Sequence, residues 1–170
     1  MGRFVDRLSD LFANIAAWMF FAIGAMVTFE VLARYLFLSP TIWAEELSQF
    51  FQIWATYLAA AYVLRHRKLI VIEFFIVRLS SNWRKVSESF SLLVIIVFSL
   101  VAIWYGTEIL LESIEQGRNT STMLGVPKWM TESAIPIGFG LLLAQALVEL
   151  VRVFTVGVDN IEAHSPLEDI

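Results

Sequence analysis

The chain has 170 residues, 58% of them apolar and 16% charged, with a mean hydropathy of +0.71 and a formal net charge of −4. A soluble domain averages roughly 45–50% apolar and about 25% charged residues, and one of this size cannot hide so much apolar surface, so the composition points to a membrane protein. Fourteen Phe and six Trp exclude disorder, the absence of Cys excludes disulfides, thiolate metal sites and cysteine nucleophiles, and the acidic balance without a basic block argues against nucleic-acid binding.

A spanning helix needs roughly 20 mostly apolar residues, and four stretches meet or approach that length. Leu11 to Phe29 is 19 residues without a charge, Leu47 to Leu64 is 18, and Ser89 to Thr107 is 19. The fourth, Ser133 to Val148, is 16 residues and continues past Glu149 and Arg152 into Val153–Val158, which a tilted or snorkelling helix can use to complete the crossing. Arg3 and Arg7 give the first helix a signal-like start, but its apolar run exceeds the roughly 7–15 residues of a signal peptide, so it reads as a retained anchor. The sequence therefore predicts an all-α integral membrane protein. Four transmembrane helices cover about 11–33, 44–64, 87–111 and 127–152 of a single domain, 1–158, and a polar cytoplasmic tail covers 159–170.

With four spans, nine Lys and Arg fall on the side of the termini and three, Arg34, Arg118 and Lys128, on the other, which places both termini in the cytoplasm. Between the second and third spans, Ile72, Ile76, Leu79, Trp83 and Val86 share one helical face, with Arg84 and Lys85 mostly opposite. This pattern predicts an amphipathic helix over about 69–86 lying in the cytoplasmic interface, its cations towards anionic headgroups; a re-entrant or packed loop is the alternative. Residues 1–10 suggest a shorter version of the same element.

Charges at a bilayer midplane mark transport or coupling sites, and none is expected here. Glu30 lies near the outer end of the first helix with Arg34 at i+4, the order that favours an intrahelical ion pair. The functional alternative makes Glu30 the coupling acid of a small proton-coupled transporter acting as a dimer. Glu45 and Glu46 open the second helix, where the macrodipole favours negative charge. Glu108, Glu112 and Glu115 form a stripe at the end of the third. His66 and His164 both lie outside the spans, so no bis-His haem can be anchored, and no nucleotide-binding or serine-hydrolase motif is present. No enzyme activity, cofactor or metal is expected. Small residues four apart (Ala13/Ala17, Ala55/Ala59, Thr56/Ala60, Ala134/Gly138, Gly140/Ala144) predict close helix packing. Pro136 predicts a kink in the fourth helix, and Pro127 suits its first turn. Trp43 and Trp129 read as interfacial anchors, and Trp18, Trp54 and Trp104 as packing residues.

Two groups of residues carry a resemblance. The first runs from Arg34-Tyr35-Leu36-Phe37 through Pro40 and Trp43-Ala44-Glu45-Glu46-Leu47 to Trp54, Leu58-Ala59-Ala60-Ala61, Arg65 and Ile70-Val71-Ile72-Glu73. The second runs from Ser121-Thr122-Met123-Leu124-Gly125-Val126-Pro127-Lys128-Trp129 to Ile135-Pro136-Ile137-Gly138-Phe139. Together they resemble the small, DctQ-type membrane subunit of TRAP (tripartite ATP-independent periplasmic) transporters over about residues 10–155. Leu69 and Glu73 stand where the family typically has His and Asp.

The resemblance implies a multi-pass protein of the bacterial inner membrane without a substrate site of its own. Its implied partners are a large membrane subunit that carries substrate and sodium sites, a periplasmic binding protein that delivers an organic acid such as a C4-dicarboxylate or sialic acid, and membrane lipids. The role it implies is that of a scaffold. On that view Arg34, Trp43, Glu45 and Glu46 organise the outer end of the first two helices, and Arg118 and Lys128 meet an acidic patch on the binding protein or are ordinary interfacial charges.

Overall fold

The structure is a computed structural model that describes residues 2–39, 41–66, 81–121 and 124–155. Helix α1 covers Gly2–Leu36, α2 Trp43–Arg65, α3 Ser81–Glu115, α4 Trp129–Glu132 and α5 Ala134–Thr155. The ends follow from local chemistry. Leu38, with φ 51°, turns the chain back after α1, and the Ser39 N–H closes on the Ala33 carbonyl at 3.1 Å. α3 ends in a glycine cap: Gly117 is left-handed at φ 58°, and the N–H groups of Gly117 and Arg118 bond the Ile114 and Ser113 carbonyls. The chain then pairs briefly with itself, with Asn119 opposite Pro127 and the Lys128 N–H on the Arg118 carbonyl.

The main helices form an open row rather than a closed ring. α1 packs along α2, α2 along α5 and α5 along α3, while α1 and α3 make no substantial contact with each other. The seams are lined by small side chains: Ala16, Ala55, Ala61, Ala134 and Ala146 are all essentially inaccessible. Trp18, Phe21, Phe90, Phe98, Trp104 and Phe154 point outwards. This reverses a soluble protein and fits a chain solvated by lipid, where close backbone packing rather than the hydrophobic effect joins helices. Gly138 is the tightest point, since a Cβ there would lie 2.5 Å from the Tyr57 Cβ.

Several expectations change. Among the described residues three helical segments, Phe4–Leu36, Trp83–Glu115 and Trp129–Thr155, are long and apolar enough to cross a membrane, against the four expected. The 23-residue α2 is long enough, but Gln49, Gln52 and its paired glutamates dilute its hydropathy. The first helix starts at Gly2 rather than near residue 11, because its first turns are held by ion pairs to other helices. Of the interfacial helix expected over 69–86, Ile72, Ile76 and Leu79 lie outside the described residues. Trp83, Arg84 and Lys85 belong to the opening turns of α3, which is continuous from Ser81 instead of starting near 87. The kink expected at Pro136 appears as a break at Ser133: proline has no N–H for the carbonyl four residues back, and α4 stops at that residue, Glu132. Pro127 precedes the helix rather than opening it.

Candidate functional site

The polar residues collect at the two ends of the row. At the end holding the amino terminus, a network joins three helices. Asp6 is 8% exposed, Glu149 3% and Gln145 fully buried. Arg152 on α5 donates to Glu149 at 2.6 Å and pairs with Asp6 of α1. Gln145 donates to Glu149 at 3.0 Å and accepts from Ser9 at 2.9 Å. From α2, Arg65 donates to the Asp6 carbonyl at 2.8 Å and to the Asp10 carboxylate at 2.7 Å. Buried charges persist where they are paired and hydrogen-bonded, and each carboxylate here has a cation and a further donor or an open side to solvent.

At the opposite end the predicted residues are near one another but are held separately. Arg34 closes on Glu30 of its own helix, its Nε 3.0 Å from Oε1. The Trp43 ring lies over Phe29 with centroids 5.9 Å apart and planes 30° apart, which joins the start of α2 to the end of α1. Glu45 is exposed and faces Gln49 along its helix at 3.5 Å, whereas Glu46 reaches across and accepts the Leu124 N–H at 3.2 Å. Arg118 is occupied by Glu112 at 2.8 Å and Gln116 at 2.9 Å, while the Lys128 side chain is exposed. Trp54, read from sequence as a packing residue, donates its indole N–H to the Met130 carbonyl at 3.0 Å, so α2 holds α4 in place. Glu30 is buried and ion-paired, the arrangement of a helix-end brace.

Among the described residues no group of three or more His, Cys, Asp or Glu is placed to hold a metal ion. Two concavities among the described residues are open and mainly apolar: one is lined by Phe29, Leu32, Ala33, Phe37, Ser39 and Thr41, another by Leu93, Val97, Phe98 and Val101. A family model for the DctQ component of tripartite ATP-independent periplasmic transporters matches residues 23–156. The chain belongs to the DctQ family. Two curated relatives agree. An isethionate TRAP transporter permease protein, DctMQ, from Oleidesulfovibrio alaskensis is 24% identical over 135 residues, 76% of this chain and 21% of the relative. A sialic acid TRAP transporter permease protein, SiaT, from Haemophilus influenzae is 24% identical over 104 residues, 61% of this chain and 16% of the relative. The match thus spans about a fifth or less of the relatives' length. The DctQ match takes in Arg65, Gln145, Glu149 and Arg152 of the network but starts after Asp6, Ser9 and Asp10. It marks a transporter component rather than an enzyme class.

Proposed function

We propose that this DctQ-family chain is the small scaffold subunit of a sodium-coupled importer of an organic acid, which braces a larger membrane subunit and helps a periplasmic binding protein to dock. The observation that carries this reading is the size of the match: the chain corresponds to 21% and 16% of two TRAP permease proteins, so most of such a permease lies outside it. The fold supports the same role. Asp6, Arg65 and Arg152 join three helices, and the two concavities lined by Phe29 and by Val97 are open and mainly apolar. On this reading α2, held between two apolar helices, crosses the bacterial inner membrane with them as the fourth span. The excess of Lys and Arg puts the Asp6–Arg152 end in the cytoplasm. On the same reading the exposed Lys85 lies on the cytoplasmic side, while Trp43, Glu46 and the exposed Lys128 face the binding protein.

Reconstitution tests the reading. Sodium-driven organic-acid uptake in proteoliposomes containing the larger subunit and the binding protein is expected to require this chain, and the chain alone is expected to transport nothing. Uptake or efflux by the chain alone would overturn it. Trp43→Ala combined with Glu46→Ala removes the Phe29 stack and the Leu124 hydrogen bond together, and is expected to lower recovery of the assembled complex in pull-downs. Unchanged recovery with full uptake would remove the outer end from the assembly role.

A further inference from the structure

Helix α2 carries its polar side chains on the arc that should meet lipid. Glu45, Gln49, Gln52 and Thr56 stand at i, i+4, i+7 and i+11, one helical face, and all four are exposed. Ala44, Ser48, Ala55 and Leu58, on the other side, are buried. The depth of this polar face follows from its neighbours. Ala55 and Leu58 pack with Phe12, Ala16 and Met19, which lie in the uncharged run of α1, and with Leu141 of α5. Gln52 is two residues from the middle of α2, about 3 Å along the axis. Thr56 satisfies its hydroxyl on the Gln52 carbonyl at 2.7 Å, but the Gln52 carboxamide has no hydrogen-bond partner among the described residues. A primary amide with two donors and an acceptor is poorly solvated by acyl chains. The exposed arcs of α1 and α3, with Ile15, Trp18, Phe21, Leu93, Val97 and Trp104, are mainly apolar, and Asn14, the exposed amide of α1, lies only three residues into its uncharged run rather than near the middle of its helix. The α2 face differs in setting four exposed polar side chains in a row that reaches the middle of its helix.

We infer that the Glu45–Gln49–Gln52–Thr56 face of α2 is the docking surface for a transmembrane helix of the larger permease subunit, which places a hydrogen-bonding side chain opposite Gln52. The inference rests on the scaffold reading above. Thr56 and Ala60 continue the face as a pair of small residues four apart, which lets a second backbone come close enough for side chains at Gln52 to bond. The curated relatives favour this occupant over a second copy of the chain, since in them the matching segment belongs to a polypeptide about five or six times as long, which supplies further permease sequence beside it.

The test uses the whole transporter in native membranes, with the photoreactive residue benzoylphenylalanine at position 52 of α2 or, as a control on a lipid-suited face, at position 97 of α3. Illumination is expected to give an adduct from position 52 that contains peptides of the larger TRAP subunit, about tenfold stronger than from position 97. Adducts from position 52 that hold only lipid or a second copy of this chain would overturn the inference. Gln52→Leu makes α2 more apolar and so does not hinder insertion. It is expected to reduce co-purification of the larger subunit about three- to tenfold at an unchanged level of the chain in the membrane. Thr56→Phe, at an exposed position on the same face, should act alike, and Val97→Phe, exposed on α3, should have no effect. If the unaltered chain does not co-purify with a larger subunit, the scaffold reading falls too; if it does and Gln52→Leu co-purifies equally, only the assignment to α2 is wrong.

Discussion

Arg152→Ala is expected to lower the unfolding temperature of the detergent-solubilised chain by about 5–10 °C. The guanidinium bridges Glu149 on its own helix and Asp6 on α1, and both carboxylates are nearly buried. Its removal leaves Glu149 with only the Gln145 amide at 3.0 Å, and Asp6 with the Arg65 Nε at 3.4 Å and the same amide at a similar distance. Breaking a buried pair from one side costs about 3–5 kcal/mol, and the partial exposure of Arg152 brings the expected loss to about 2–3 kcal/mol. At roughly 2–4 °C per kcal/mol for a chain of this size, that gives the stated shift. The loss comes from stranded charge rather than from a missing attraction. The triple variant Arg152→Met, Glu149→Met and Asp6→Leu should therefore recover most of it. Asp10→Ala, which removes an exposed partner of Arg65, should move the midpoint by no more than about 2 °C. A change below 2 °C in Arg152→Ala would show that water already solvates the network.

The network also marks where sequence reasoning stops. The apolar runs announce the long helices because hydrocarbon length sets a minimum number of residues, and no other part of the chain satisfies it. The runs themselves say nothing of what the polar residues at their ends do. Gln145, Glu149 and Arg152 stand at i, i+4 and i+7, and Asp6 and Asp10 at i and i+4. Both patterns repeat on one helical face, a signal that was present but had no assigned partner. Which helix supplies the opposite charge is a tertiary fact, and Asp6 finds Arg152 some 146 positions away. The glutamines of α2 show the same gap. They carry no charge and pass a charge count, yet they keep α2 from qualifying by hydropathy as a span. Arg118 reads as an available cation until Glu112 and Gln116 are seen to close on it after the left-handed turn at Gly117. By contrast, Glu30 and Arg34 interact locally, so their spacing alone predicts the pair.

Gly138→Ala should separate the two central helices. A methyl group there would meet the Tyr57 Cβ at 2.5 Å, its ring carbon Cγ at 3.1 Å and the Tyr57 carbonyl oxygen at 3.1 Å. None of these atoms is the end of a flexible side chain, so α2 or α5 must shift as a body. Overpacking of this kind costs about 1–3 kcal/mol, a fall of several degrees in midpoint at this chain length. Gly140→Ala, on the same helix and with nothing within 4 Å, is the matched control and should leave the midpoint unchanged or slightly raised. The consequence extends beyond stability. Gly138 sets the spacing between α2 and α5, and Trp54 ties α2 to the Met130 carbonyl just above it. A displaced α2 should therefore also loosen that hydrogen bond and turn the Gln52 face. Gly138→Ala is thus expected to weaken recovery of the larger subunit as well as the fold, whereas Gly140→Ala spares both. Equal melting and equal recovery for the two alanine variants would show that the α2–α5 seam has room to give and that the close approach at Tyr57 is not what fixes the row.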